Sequence, residues 1–154
     1  MTFGEVEPIS FWTWLTTLPQ EQTVWPHFGV NSFFNLVTVW NPGVSFGIFA
    51  SEAAFAPYAL SIVAVIISTA LTYWMGHDKR VLVRLSLALI IAGALSNVWD
   101  RMRFGAVADF LDFHINNWHY PAFNLADSCI VVGVVLLAIH TVFFDKEKKD
   151  RHET

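Results

Sequence analysis

Residues 81–99 read VLVRLSLALIIAGALSNVW, a run whose only charge is Arg84. At about 1.5 Å of rise per residue, a helix of this length crosses the roughly 30 Å hydrocarbon core of a bilayer. Arg84 lies one turn in, where its stem can carry the guanidinium back to the interface. Two flanking stretches read the same way: 58–75, YALSIVAVIISTALTYWM, carries no charge, and 125–144, LADSCIVVGVVLLAIHTVFF, carries Asp127 near its start. The whole composition agrees, with 55% hydrophobic and 14% charged residues against about 25% charged in an ordinary soluble domain. So few charges do not cover a globule in water. A single membrane-embedded domain over 1–154 is expected.

Composition excludes other classes. A net charge of −4 without a basic stripe argues against nucleic acid. Cys129 is the single cysteine, so no internal disulfide forms, and its apolar neighbours Ile130, Val131 and Val132 mark a buried small hydrophobe rather than a reactive thiol. The six histidines are scattered, His114 and His119 lying nearest each other, and no Cys/His spacing suggests a metal. No metal and no organic cofactor are expected.

Orientation follows from the basic residues. Lys79 and Arg80 separate the first two spans, Lys146, Lys148, Lys149 and Arg151 follow the third, and residues 1–78 hold no lysine or arginine. By the positive-inside rule the 79–80 turn and the C-terminal tail are cytoplasmic. Residues 1–57 and the segment 97–124 then lie outside. Within the first of these, ISFWTWLTTL at 9–18 is too short to span, and its two tryptophans suit an interfacial segment. FFNLVTVW at 33–40, the turn signal Asn41-Pro42-Gly43 and a second apolar stretch at 44–49 predict a hairpin or two short strands. SEAAFAPYAL at 51–60 reads as a short interfacial helix interrupted at Pro57, and GAVADFLDFHI at 105–115 as a further strand.

Charge at a bilayer is costly, so the acids on the outer side call for a reason. Asn97, Asp100 and Arg101 share a helix face at the end of the second span. A helix-end ion pair of Asp100 with Arg101 or Arg103 explains that group without function. Asp109 and Asp112 fall in an apolar strand, on opposite faces; either they find partners or one or both face water. Asn124 and Asp127 have the spacing of a helix capping box, a sufficient structural reason for both. The functional reading rests on convergence. Asp109 and Asp127 are 18 residues apart on the same membrane side, and two carboxyls that meet do not readily both ionise. One keeps a proton and the other acts as base, the arrangement by which aspartic proteases activate water. A proton- or cation-coupled transporter subunit is the alternative, with a non-catalytic scaffold as a third reading; transport acids belong near the bilayer middle.

The order of Asn41-Pro42-Gly43-Val44-Ser45-Phe46, then GALSNVWDR with Asn97, Asp100 and Arg101, then VADF with Asp109, then FNLADS with Asn124 and Asp127, resembles lipoprotein signal peptidase over about residues 33–144. The resemblance implies an all-α membrane bundle of four helices with a small extracytoplasmic antiparallel β-cradle, its outer parts at 33–57 and 100–124. It implies an aspartic endopeptidase of the bacterial inner membrane, acting as a monomer among membrane lipids and inhibited by globomycin. Its substrates are diacylglyceryl-modified prolipoproteins, cut before the lipidated cysteine. Asp109 and Asp127 correspond to the catalytic dyad, and Asn41, Gly43, Asn97, Asp100, Arg101 and Asn124 to the shell that holds dyad and substrate. Asp112, outside the matched motifs, is expected to matter little. Ser96 stands where the family usually has glycine, a small change. The family's first helix, ending in an Asp and Lys motif, has no counterpart here; a late start, from a truncated gene or misplaced start codon, is the expectation, with the N-terminus outside.

Overall fold

Why the described residues take up three spans is visible from what they bury. The structure, a computed structural model, describes residues 28–43 and 56–150. The first helix, α1 (Ala56–His77), carries Pro57 in its first turn, where the missing N–H has no helical partner to lose. Pro57 therefore opens the span instead of interrupting a separate interfacial helix, and its carbonyl accepts the Ser61 hydroxyl at 2.7 Å. A short turn pinned by the Arg80–Asp78 ion pair at 2.7 Å leads into α2 (Val81–Phe104). The third helix is α3 (Leu125–Asp150). All three helices are long and apolar enough to cross a membrane.

The buried residues of α2, Val83, Ser86, Leu87, Gly93 and Asn97, recur at three- and four-residue intervals or their multiples and so form one stripe. That stripe faces α3. Lipid tails offer no hydrophobic drive between helices, so close packing of small residues has to hold them. A Cβ on Gly93 would stand 2.3 Å from the Ala126 carbonyl oxygen, and one on Gly133 would stand 2.7 Å from the Ser86 carbonyl oxygen. The two backbones meet there. α2 packs on α1 as well as on α3, and among the described residues the backbones of α1 and α3 do not come close. The apolar side chains facing away, such as Ile62, Ile66 and Val131, are more than half exposed, as a bilayer requires.

Beyond the helix ends the described residues form a four-stranded sheet, ordered β1 (Phe28–Asn31), β2 (Phe34–Asn41), β3 (Val107–Ile115) and β4 (Trp118–His119), all antiparallel. The strands expected at 33–40 and 105–115 are present. β2 is joined upstream to β1 by a reversal at Ser32 and Phe33, and it also pairs with β3. The stretches at 9–18, 44–49 and 51–55 lie outside the described residues. Two contacts seat the sheet on the bundle: Trp40 against Phe104, ring centroids 5.6 Å apart, and the Ala108 N–H on the Asp100 carboxylate at 3.5 Å.

Helix α2 continues to Phe104, five residues past the expected limit of the span at Trp99, and Asn97, Asp100 and Arg101 ride on it, as their expected common helix face requires. It stops at Gly105, whose φ of 73° and N–H bond to the Arg101 carbonyl at 2.9 Å form a left-handed cap that a side chain would strain.

Candidate functional site

Four elements converge where the sheet meets the C-terminal end of α2 and the N-terminal end of α3. The α2 stripe ends in Asn97, 8% exposed, on the side facing α3. Asn124 is the N-cap of α3. Its Oδ1 accepts the Asp127 N–H at 3.0 Å, while Asp127 Oδ2 accepts the Asn124 N–H at 3.3 Å. The capping box is therefore real, and it does not compete with the functional reading. The cap uses one carboxylate oxygen of Asp127 and leaves Oδ1 to accept Asn97 Nδ2 at 2.8 Å.

Asn124 links the two acids. Its Nδ2 donates one hydrogen to Asp109 Oδ1 at 3.0 Å and the other to Asn97 Oδ1 at 3.1 Å. A continuous path thus runs Asp109–Asn124–Asn97–Asp127, with both amides oriented by what they donate and accept. From the other side, Asn41 Nδ2 donates to Asp109 Oδ2 at 3.1 Å. The Asn41 amide is itself oriented by a turn, since its Oδ1 accepts the Gly43 N–H at 3.1 Å. Gly43 has φ of 150° and lies where a Cβ would be 2.7 Å from a Leu60 methyl of α1.

Asp109 is 3% exposed. Burial pushes its carboxyl upward, and the nearby Asp127 charge adds to that; the Asn41 and Asn124 hydrogen bonds and the Arg101 charge oppose it, and the net direction is up. Arg101 is the cation of the site, in Coulombic range of Asp127, Asp109 and Asp100. Three carboxylates around one guanidinium leave an excess of negative charge, which favours keeping a proton among them. The Arg101 Nη1 donates to the Asn97 carbonyl at 3.3 Å, and its Nε–H is buried without an acceptor among the described residues. The ion pair that would have explained Asp100 is not formed among those residues; Asp100 instead accepts the β3 backbone at Ala108.

All the residues singled out from the sequence, Asn41, Gly43, Asn97, Asp100, Arg101, Asp109, Asn124 and Asp127, therefore lie in or directly beside one hydrogen-bonded assembly. Asp112 does not join it. Nor does it face water: it is 6% exposed, accepting Asn35 Nδ2 at 2.9 Å and His119 Nδ1 at 2.9 and 3.0 Å. Burial pushes the Asp112 carboxyl up, but the Asn35 and His119 hydrogen bonds with the nearby His119 and His114 charges outweigh it and hold the group below the usual range. Of the two fates open to a carboxylate in this strand, partners or water, Asp112 has partners. The signal available was the carboxylate in an apolar strand; its partner Asn35 is 77 positions away.

Comparison with known proteins follows the same lines. A family profile described as "Signal peptidase (SPase) II" matches residues 9–143. A lipoprotein signal peptidase of Burkholderia vietnamiensis (strain G4 / LMG 22486) is 48% identical over 109 residues, covering 70% of this chain and 66% of that protein. One of Paraburkholderia phytofirmans (strain DSM 17436 / LMG 22146 / PsJN) is 45% identical over 111 residues, covering 71% and 64%. The chain thus spans just under two thirds of the length of these curated relatives. Among solved structures, one described as "Bacterial membrane enzyme structure by the in meso method at 2.3 A resolution" superposes with a TM-score of 0.68 at 32% identity, over 78% of this chain and 73% of that one. A second of the same description at 1.9 Å gives 0.68 at 31%, over 79% and 78%.

Proposed function

The chain belongs to the signal peptidase II family, and we propose that it is an aspartic endopeptidase removing signal peptides from diacylglyceryl-modified prolipoproteins, with Asp109 and Asp127 as the reacting pair. The observation that carries the proposal is the Asn97–Asn124 bridge, which ties both carboxyls into one network at the outer end of the bundle. One carboxylate takes a proton from water as the oxygen attacks the scissile carbonyl, and the protonated partner donates to the carbonyl oxygen. Collapse of the tetrahedral intermediate breaks the C–N bond, and the leaving amine takes up a proton from the pair. The role of base belongs to the pair and not to either acid alone. Asn41, Asn97 and Asn124 hold the acids in place, Gly43 lets the Asn41 turn pass close to α1, and Arg101 with Asp100 sets the local charge and seats β3.

By this reading the enzyme works as a monomer among the lipids of the bacterial inner membrane, with the site on the periplasmic side and the C-terminus in the cytoplasm. The substrate's cut lies before its lipidated cysteine, at the level where the lipid chains enter the bilayer. The transporter alternative called for acids in the middle of the spans. Asp100 and Asp127 instead sit at the outer ends of α2 and α3. Incubating the purified chain with a diacylglyceryl-modified prolipoprotein is expected to give a globomycin-sensitive shift to the shorter mature form on a gel. No conversion under conditions where the helices remain folded would remove the proposal.

A pH prediction follows from Asn41. Its amide stabilises ionised Asp109, so Asn41→Ala makes the charged form less favourable. Asp109 then holds its proton to higher pH. At about 0.5–1.5 kcal/mol for the lost bond and 1.36 kcal/mol per pH unit, the alkaline limb of kcat is expected to move up by roughly half to one unit. A downward move would contradict the assignment.

A further inference from the structure

Further along β3 from the dyad, a second polar network joins three strands. Asp112 and His114, two residues apart on β3, share a face. Asp112 lies directly across from Asn35 of β2, and His114 directly across from His119 of β4. Asp112 accepts from both Asn35 and His119, and the His114 and His119 rings pack with centroids 5.0 Å apart. A carboxylate can only accept, so Nδ1 of His119 carries the hydrogen in this bond.

What this network secures is the route between the two acids. From Asp109 the chain runs out along β3, reverses at Asn116, whose φ is 53°, and returns through the two residues of β4. Pro121 has no N–H to give to a ladder. The chain then closes on β3 at Phe123, whose N–H donates to the Leu111 carbonyl at 3.1 Å and whose carbonyl accepts the Phe110 and Leu111 N–H groups at 3.1 and 2.8 Å. The next residue is Asn124, which bridges to Asp109. The backbone ladder over this hairpin is short, and the Asp112–His119 bond ties it across the middle.

We propose that Asn35, Asp112 and His119 are positioning residues, a side-chain tie that holds the β3–β4 return closed so that Asn124 and Asp127 are delivered to Asp109. The proposal rests on the reading of Asp109 and Asp127 as the reacting pair. The hydrogen bonds of the tie run among Asn35, Asp112 and His119 and reach neither Asp109 nor Asp127, so its loss changes kcat with little change in KM. Small displacements at a reacting centre cost up to about 100-fold.

The test compares His119→Ala, His119→Asn and His119→Gln in the full chain. His119 has a half-exposed side chain, so each variant is expected to fold. An asparagine amide stands the same number of bonds from Cα as Nδ1, whereas a glutamine amide reaches one bond further. Cleavage of the prolipoprotein is expected to fall about 10-fold or more in kcat for Ala and Gln, at unchanged KM, and to recover with Asn. Equal kcat in His119→Ala and the parent, or equal behaviour of Asn and Gln, would overturn the proposal. Amide hydrogen exchange at Phe110, Leu111, Tyr120 and Phe123 supplies a readout that needs no turnover: faster in Ala, restored in Asn. Unchanged exchange in Ala overturns the tie by itself. If the parent chain cleaves nothing, the peptidase reading falls, while the exchange comparison still decides the tie.

Discussion

Asp109→Asn and Asp127→Asn are each expected to abolish cleavage of a lipid-modified prolipoprotein, a loss of about 10²–10⁴-fold or more, while the chain still inserts and folds. Each substitution keeps the shape of the side chain and one acceptor oxygen but removes the exchangeable proton. Asp109→Asn leaves the oxygen that faces Asn124 or Asn41 as acceptor and turns the other into a donor aimed at a donor. Asp127→Asn likewise leaves one oxygen for two donors, the Asn124 N–H of the α3 capping box and Asn97 Nδ2. Each variant thus sets one amide N–H against a donor, and the two are expected to lose similar stability, about 1–3 kcal/mol, at equal loss of activity. Cleavage rate and thermal denaturation in detergent separate the two effects. Near-normal turnover in either variant would contradict the pairing of these acids.

Gly93→Ala is the second large effect. The added Cβ would meet the Ala126 carbonyl oxygen at 2.3 Å and an Ile130 carbon at 2.8 Å. The oxygen belongs to the backbone, so α2 and α3 have to move apart. Overpacking of this kind costs typically 1–3 kcal/mol. Asn97 is one turn further along the same face, and its 2.8 Å bond to Asp127 opens with the helices. A drop of up to about 100-fold in kcat is therefore expected along with the lower stability. Gly133→Ala creates a similar clash with the Ser86 carbonyl oxygen at 2.7 Å, yet at a level further from Asn97. It is expected to lose stability with a smaller loss of activity. Gly76→Ala meets no atom within 4 Å and serves as the comparison; a helix-interior alanine there is neutral or mildly stabilising. Equal kcat in Gly93→Ala and Gly76→Ala would contradict the close α2–α3 contact.

Some of this architecture was legible from residue order and some was not, for physical reasons. The spans stood out because a bilayer demands long uncharged runs, and α1, α2 and α3 lie where those runs are. The second helix outlasts its apolar run because hydropathy falls at Asp100, whereas α2 continues as long as its backbone does. The stop signal was present in Gly105, preceded by Arg101 and Arg103 in the last turn. β2 and β3 carry enough β-branched and aromatic residues to be recognised; β1 and β4, with four and two residues, are too short for a period to show. In the site, each polar group had an ordinary local explanation. For Asn124 and Asp127 that explanation, the capping box, is true and coexists with the bridge to Asp109. The Asn35–Asp112–His119 tie was invisible because cross-strand contact between distant segments leaves no local spacing to read.

Everything turns on whether the two carboxyls behave as one titrating unit. Infrared difference spectra of the reconstituted chain across pH, following the carbonyl stretch of protonated carboxyls, report this directly. The account predicts a carboxyl that keeps its proton above the ordinary aspartate range and whose band shifts or disappears in both Asp109→Asn and Asp127→Asn. Two carboxyls ionising independently near the ordinary value, with neither substitution affecting the other, would contradict it.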